Sequence, residues 1–519
     1  MRNFYFSFIL LAFSSVASAD VVDQLRAAKF VEESLSEIMA DGARIHDMES
    51  VYKDGVMVYY IVNIEPEGWA IVSASDAVLP LLGYNNKGSL KSGDITEAMS
   101  EWLDSYAGQI KDAVQAKDKP LAKWENPRHS TIDTRGSSDI VSPIIEVNWN
   151  QGRPYNQFCP SDSRGVSVVG CVAVGMAQAM SAVRWPDRPV GQKSYYHSSY
   201  GTISINYDLE DAYDWDKIVN GDDNKVWVAH LLYHCGVSVN MDYSPDGSGT
   251  QTSLVASALQ KYYSYPSSVK YYSRDNYSGN WVDLIISELK AGRPIIYSGS
   301  DSGGGYGHCF NIDGYDGNSM FHLNWGWGGY GDGYFTIDGL RDRHMNMNYD
   351  VHHGAVVGLR APSATPTDFT LTNTEVELGS PRGTKVASVN VESDIPGRYM
   401  YTITGTYNII TKKYNPVPFE FDFSGDIVTS QAVTEAKEYK TLVTVTSSAT
   451  KESLTKEFVL KVKSGTGLDV IKSIEPVSVS YYSLTGQKIT DPELYSDRIL
   501  IKVSVWPDGS STTLKQLTK

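Results

Sequence analysis

The sequence predicts an α+β chain in which a helical lobe and a strand-rich lobe are followed by all-β modules, and three stretches carry that prediction. In "GCVAVGMAQAMSAVRWP", which begins at Gly170, the residues Val172, Met176, Ala179, Met180 and Val183 keep a helical apolar spacing until Trp185-Pro186 ends it. In "HCFNIDGYDGNSMFHLNW", which begins at His308, a strand-like alternation turns at Gly-Tyr-Asp-Gly-Asn and returns, the pattern of a hairpin. Beyond Arg360, "APSATPTDFTLTNTEVEL" leads into alternating β-branched and charged segments such as "TKVASVNVES" and "KTLVTVTSS", spaced by turns as in a sandwich of immunoglobulin type.

The chain has 519 residues, 41% apolar and 20% charged, enough globular material for about three domains. Its formal charge of -16, with no run of Lys and Arg, disfavours nucleic acid as a partner, because binding phosphates requires a clustered cationic face. At the start, Arg2, the apolar stretch Phe4 to Val16 and the small residues Ala17-Ser18-Ala19 form the pattern of a signal peptide over residues 1–19, with cleavage expected before Asp20. No lipid-attachment cysteine sits at that junction, and no later run of about twenty apolar residues could span a bilayer. The expected location is therefore secreted or at the cell surface.

Four cysteines follow, Cys159, Cys171, Cys235 and Cys309, a number that in an exported chain suggests two disulfides. Their contexts argue for other roles, although a bond between Cys159 and Cys235 stays open. Cys171 stands at the start of the predicted helix, where unpaired backbone N–H groups and the positive end of the helix dipole favour a thiolate. A buried, merely apolar cysteine fits the same position, so a partner histidine has to decide. On the predicted strand, period two puts His308, Phe310 and Ile312 on one face and Cys309 and Asn311 on the other, which makes His308 the candidate and Cys309 a structural thiol.

A cysteine at a helix start, a histidine far downstream on a strand and an Asn-Trp pair just beyond it form the arrangement of cysteine nucleophiles and their bases. The segments "GCVAVGMAQAM", "GHCFNIDGYDG" and "HLNWGWGGYGDGYFTIDGL", in that order, resemble the nucleophile helix, base strand and Trp-rich return of the streptopain-type cysteine peptidases, secreted bacterial enzymes of papain-like fold. The resemblance runs from about Asp20 to Arg360. It implies a two-lobed catalytic domain over residues 136–360, with Cys171 as nucleophile and His308 as general base. Gln151, in "VNWNQGRPYNQ", takes the place of the glutamine that supports the oxyanion together with the backbone N–H of Cys171. Trp325 is expected to pack on the imidazole, Asn324 to assist by side chain or main chain, and Trp327 to serve packing alone. Protein or peptide substrates, with an apolar side chain near the scissile bond, are expected to lie near Val169, Gly170 and Gly307. No cofactor is implied.

The same resemblance implies an inhibitory prodomain over residues 20–135, which includes "GWAIVSASDAVLPLLGYNNKGSL" and acts as an intramolecular partner. The polar stretch "KWENPRHSTIDTRGSSDIVSP" then reads as an exposed activation linker, with self-cleavage expected between Lys123 and Ser137. Further on, the tyrosine-dense segment between Tyr195 and Tyr297 suggests packing, and no ligand is assigned to it. His230 and His234 lie four apart and can share a helix face, but a zinc pair needs a third ligand. Leu231 also stands where a metallopeptidase helix would carry Glu, so the sequence assigns no metal.

The tail divides into a β-sandwich over 361–465 and a final β module over 466–519. The latter resembles sorting or surface-retention modules of secreted bacterial proteins, with a plain extra strand layer as the alternative. For the whole chain, the expectation is a secreted cysteine endopeptidase made as a zymogen. The alternative is an inactive papain-like shell serving adhesion or binding.

Overall fold

Asp23 accepts the Arg26 N–H at 2.8 Å and so starts helix α1 (Gln24–Ser34). Strands β1 (Arg44–Lys53), β2 (Val56–Glu65), β3 (Trp69–Ser73) and β4 (Leu81–Asn85) follow as an antiparallel meander. Thr96 then caps helix α2 (Glu97–Ala116) by accepting the Met99 N–H. Phe30 and Val31 of α1 pack on Tyr60, Val62 and Val72 from one face of the meander, while Met99, Leu103 and Tyr106 of α2 pack with Val58, Tyr59, Ile61 and Ile71. With both faces covered, β2 and β3 read as continuous apolar runs. The computed structural model describes residues 20–35, 39–125, 139–221, 225–300, 307–337, 339–340, 352–408, 410–464, 476–495, 498–505 and 510–517. The expected leader at 1–19, most of the expected activation linker and the glycine run before Gly307 lie outside them.

The helical lobe comprises a short hairpin of β5 (Ser161–Asp162) and β6 (Gly165–Val166), helix α3 (Cys171–Val183), a second hairpin of β7 (Gln192–His197) and β8 (Gly201–Asn206), and helices α4 (Trp215–Asn220), α5 (Val226–Ser238) and α6 (Leu254–Tyr262). Helix α3 is buried at nearly every position, with Val172, Val174, Met176 and Met180 at most 2% exposed. Each such side chain removed from water stabilises the lobe by about 1.5–3 kcal/mol. All four cysteines are free thiols, and Cys235 lies against Met180 with a sulfur–sulfur separation of 3.7 Å.

Strand β9 (Lys270–Ser273), helix α7 (Trp281–Lys290) and strands β10 (Ile295–Ser300), β11 (Gly307–Tyr315), β12 (Phe321–Asn324), β13 (Gly333–Phe335) and β14 (Gly354–Val357) complete the second lobe. The hairpin expected from the sequence is β11–β12, paired from Asn311 with Asn324 to Tyr315 with Phe321. Its faces divide as period two requires, with Phe310 and Ile312 in the core beneath α2 and Cys309 in the core beneath α3.

The sequence separates residues 20–135 from 136–360, yet the two regions form one compact unit through Pro362. The reason is a shared sheet of ten strands, in the order β1-β2-β3-β4-β13-β12-β11-β10-β14-β9. At the junction Tyr84 pairs with Tyr334 and Gly83 with Phe335, and the two tyrosine rings stack at 5.1 Å. Across the junction α2 presents one face, residues 99, 102, 106 and 109. Trp102 meets Phe310 edge-on at 5.6 Å, the Tyr106 hydroxyl donates to the Thr336 carbonyl at 2.6 Å, and Gln109 Oε1 accepts the Leu340 N–H at 2.7 Å.

The second unit, Ser363–Lys519, is all-β among its described strands. One four-stranded sheet has the order β15 (Asp368–Leu371), β17 (Lys385–Glu392), β22 (Asp426–Thr429) and β21 (Phe419–Phe421). A second has the order β16 (Glu375–Glu377), β24 (Ser453–Lys463), β23 (Glu438–Ser447) and β18 (Tyr399–Gly405). Phe369, Val386, Phe419 and Ile427 of the first share a core with Val376, Val443, Val445 and Leu460 of the second, so the two sheets pack as a sandwich. A two-stranded ribbon, β19 (Tyr407–Asn408) and β20 (Lys413–Tyr414), accompanies them. The last strands, β25 (Ser478–Tyr482), β26 (Lys488–Ile489), β27 (Ile499–Val505) and β28 (Ser511–Leu517), form a separate sheet of four.

The junction between the N-terminal meander and β13 makes a testable demand on size. A Cβ at Gly333 would stand 2.7 Å from the Tyr84 carbonyl oxygen and 2.9 Å from the Trp69 ring, both in the N-terminal region. Gly333→Ala is therefore expected to destabilise the full-length chain by about 1–3 kcal/mol, read from the midpoint of chemical denaturation.

Candidate active site

Cys171 is the first residue of α3, and Gly170 before it has φ 91, which a residue with a side chain rarely adopts. A Cβ at Gly170 would also stand 2.6 Å from the Met241 sulfur, so the turn that delivers Cys171 admits glycine alone. Immediately upstream, the Val169 N–H donates to the Gln151 carbonyl at 2.9 Å, and this bond holds the Gln151 loop beside the Gly170-Cys171 turn.

Cys171, Val174 and Gln178 lie at i, i+3 and i+7 on one face of α3, and that face meets the strand lobe. The Cys171 sulfur faces the backbone N–H of Cys309, the residue after His308. One turn on, Val174 packs beneath Gly326, where a Cβ would stand 3.0 Å from Val174 Cγ1. Gln178 accepts from Asn311 Nδ2 at 3.1 Å and donates to the Val147 carbonyl at 3.3 Å. This buried amide pair is absent from the sequence expectation. Its signal was available, since a glutamine inside an apolar helical run needs an internal partner.

The Trp-rich return corrects the expected roles of its two tryptophans. Trp325 is fully buried, donates through Nε1 to the Gly331 carbonyl at 2.9 Å and packs on Phe310 at 4.8 Å and Phe335 at 5.3 Å, so it is a core residue. Trp327, half-buried, donates from Nε1 to His308 Nε2 at 3.2 Å. The cause is the turn at Gly326 (φ +73), which carries the chain out of β12 and across α3 before the second indole is placed. Asn324 is committed to scaffolding, donating to the Val147 carbonyl at 3.2 Å and accepting the Gly326 N–H at 3.1 Å. Asp332 holds the same turn by accepting the Trp325 N–H at 2.9 Å, and burial pushes its carboxyl up to about 7.

Of the residues expected at the substrate, Gly307 is exposed at the start of β11. Val169 is 0% exposed and belongs to the helical core, and Gly170 is closed in by Met241 and Ser248. Val169 thus supports the Gly170-Cys171 turn from within, and its side chain does not line a surface.

The electrostatics also depart from the sequence expectation. Burial pushes the Cys171 thiol above its ordinary value, against the backbone N–H groups of Cys309 and Val172, and the nearby Glu101 carboxylate of α2 adds to the rise. Burial brings His308 down to about 4. Near neutral pH the two groups are therefore a thiol and a neutral imidazole. Trp327 fits that state, because an N–H donated to Nε2 needs a lone pair there, and an imidazolium has none. Among the described residues no hydrogen bond joins the Cys171 sulfur to the His308 ring. Trp327→Phe, which keeps the ring but loses the donor, is expected to raise the His308 pKa by about 0.5–1 unit, the equivalent of one ordinary hydrogen bond. An NMR titration of the imidazole reads it.

Known proteins resemble this chain over its first unit. Residues 149–335 match the model of the Peptidase C10 family, and residues 19–110 match that of the Spi protease inhibitor. The chain is 29% identical over 343 residues to the thiol protease/hemagglutinin PrtT of Porphyromonas gingivalis, an alignment covering 61% of this chain and 39% of that protein. It is 28% identical over 341 residues to streptopain of Streptococcus pyogenes, covering 58% of this chain and 80% of that one. The chain thus spans well under half the length of PrtT and most of streptopain. Among solved structures, a fragment of Prevotella intermedia prointerpain A carrying a cysteine-to-alanine mutation is 29% identical, with a TM-score of 0.50 over 61% of this chain and 99% of that one. With its cysteine at the head of α3, its histidine on β11 and an inhibitor-like region joined to the same sheet, the chain is a cysteine-type peptidase of the streptopain type whose residues 149–335 match Peptidase C10.

Proposed function

We propose that this chain is a secreted cysteine endopeptidase made as a zymogen, and that the arrangement described above is its latent form. The observation that carries the reading is the position of the Cys171 sulfur, at the head of α3 and against the backbone N–H that follows His308. In the active form the Cys171 thiolate attacks the substrate carbonyl, and the proton it gave to His308 passes to the leaving amine. The oxyanion is held by the Cys171 N–H and the Gln151 side-chain N–H. Water then hydrolyses the thioester and restores the thiol. Papain-like describes the two-lobed division of helices and strands, and immunoglobulin-like the sandwich of the second unit. The leader at residues 1–19 exports the chain.

Two features of the N-terminal region account for latency. The Glu101 carboxylate opposes ionisation of Cys171. Trp102 covers Phe310, two residues along the strand from His308. Cleavage in the stretch between Lys123 and Ser137 frees the meander and α2, withdraws Glu101 and lets the imidazole take up a proton. Extended protein substrates then approach past the exposed Gly307, with an apolar side chain near the scissile bond.

Cys171→Ala is expected to remove hydrolysis of a denatured protein substrate and to leave the chain at full length, while wild type yields a product shorter by the N-terminal region. A chain that shortens equally with and without Cys171, followed by gel and mass spectrometry, would refute self-processing. Gln151→Ala is expected to lower kcat by about 10²–10³-fold with a smaller effect on KM. In the full-length chain, alkylation of Cys171 by iodoacetamide should be slow at pH 7 and climb about tenfold per pH unit toward the raised thiol pKa. In the processed enzyme it should already be fast at pH 7 and flat above it. A flat profile in both forms would oppose the proposed latency.

A further inference from the structure

Away from the peptidase site, the structure supplies what the helix pair His230 and His234 lacks in the sequence. Both lie on α5, four residues apart, with ring centroids 4.1 Å from one another. Glu210, just after the single turn that follows β8, brings its carboxylate to the same point. Its Oε2 lies 3.3 Å from His230 Nε2 and 3.6 Å from His234 Nε2. The ligand atoms of all three residues fall within 4.8 Å of one another. A charge-assisted N–H···O contact closes to about 2.7–2.9 Å, and these two do not. Tetrahedral zinc with bonds of about 2.0–2.1 Å separates its ligands by about 3.3 Å, which is close to what these residues show.

The surroundings fit the same chemistry. His234 has only 1% of its side chain exposed, and its other ring nitrogen, Nδ1, is bonded to the Tyr213 hydroxyl at 2.9 Å. Such a partner fixes the ring and aims Nε2 at the ligand position. The Phe158 ring packs on His230 at 5.1 Å. His230 and Glu210 keep 34% and 29% of their side chains exposed, so the position has a path from solvent. Two imidazoles and one carboxylate are a ligand set that zinc takes readily.

We propose that Glu210, His230 and His234 form a Zn²⁺ site that clips the segment after β8 to helix α5, independent of the peptidase chemistry.

The test uses the full-length chain carrying Cys171→Ala, which removes self-cleavage and the one thiol that is not deeply buried. Zn²⁺ alone is titrated against a chromophoric chelator, and thermal melts are run with and without the ion. One Zn²⁺ per chain is expected, together with a zinc-dependent rise in melting temperature. His230→Ala and Glu210→Gln, each introduced into that background, should weaken binding by at least about 10–100-fold and abolish the rise. Both positions are partly exposed, so these variants keep the test valid if His234→Ala fails to fold. Absence of stoichiometric zinc in the parent, or equal affinity in the parent and both variants, overturns the site.

Discussion

The seam between helix α3 and strand β11 is the constraint on which the rest of the molecule depends. It needs close approach, and Gly175 provides it, since a Cβ there would stand 3.3 Å from the Cys309 sulfur. It also needs a fixed register. The Gln178–Asn311 bond sets this in a dry interior, where leaving a polar group unpaired costs about 1–3 kcal/mol. Once the register is fixed, Cys171 is held against the backbone beside His308, Val174 lies under the Gly326 turn, and Trp327 reaches the imidazole. The chemistry thus inherits its geometry from packing that lies one to two helical turns deeper.

Competing magnitudes decide the charge state of the pair. A helix N-terminus favours a thiolate by about 0.3–1 kcal/mol, and by up to ~2 kcal/mol in partly buried geometry, which corresponds to about one pKa unit. Removing an ionisable group from water shifts its pKa by up to ~3–5 units. In the closed molecule burial wins for both Cys171 and His308, and the Glu101 carboxylate acts in the same direction on the thiol. Position at the helix start is therefore not enough by itself to make Cys171 a thiolate. What changes the balance is whatever uncovers the site.

The shared sheet explains how an N-terminal region with its own helices can be part of the same body as the peptidase. Backbone pairing between β4 and β13 is indifferent to side-chain identity, so its specificity comes from the glycines that let the strands close and from the stacked Tyr84 and Tyr334. Withdrawing the meander would leave β13 as an unpaired edge, a position that proteins keep short. At Gly333–Phe335 it is indeed short.

By itself the sequence determined the elements whose signals are local. The helix after Gly170, the β11–β12 hairpin with its two faces, the strand-rich tail and the identity of the two principal motifs follow from periodicity, turn residues and the order of the segments. What only the tertiary structure decided depends on partners remote along the chain. Trp325 and Trp327 are equivalent in composition and spacing, and a single left-handed glycine between them sends one into the core and the other to His308. Val169 adjoins the Gly170-Cys171 turn in sequence yet is sealed inside the helical lobe. Glu210 lies twenty positions before His230, and no periodicity links it to α5 until the fold folds one back upon the other. Local patterns encode which face of an element is apolar, whereas burial, charge state and the meeting of distant side chains are properties of the packed chain.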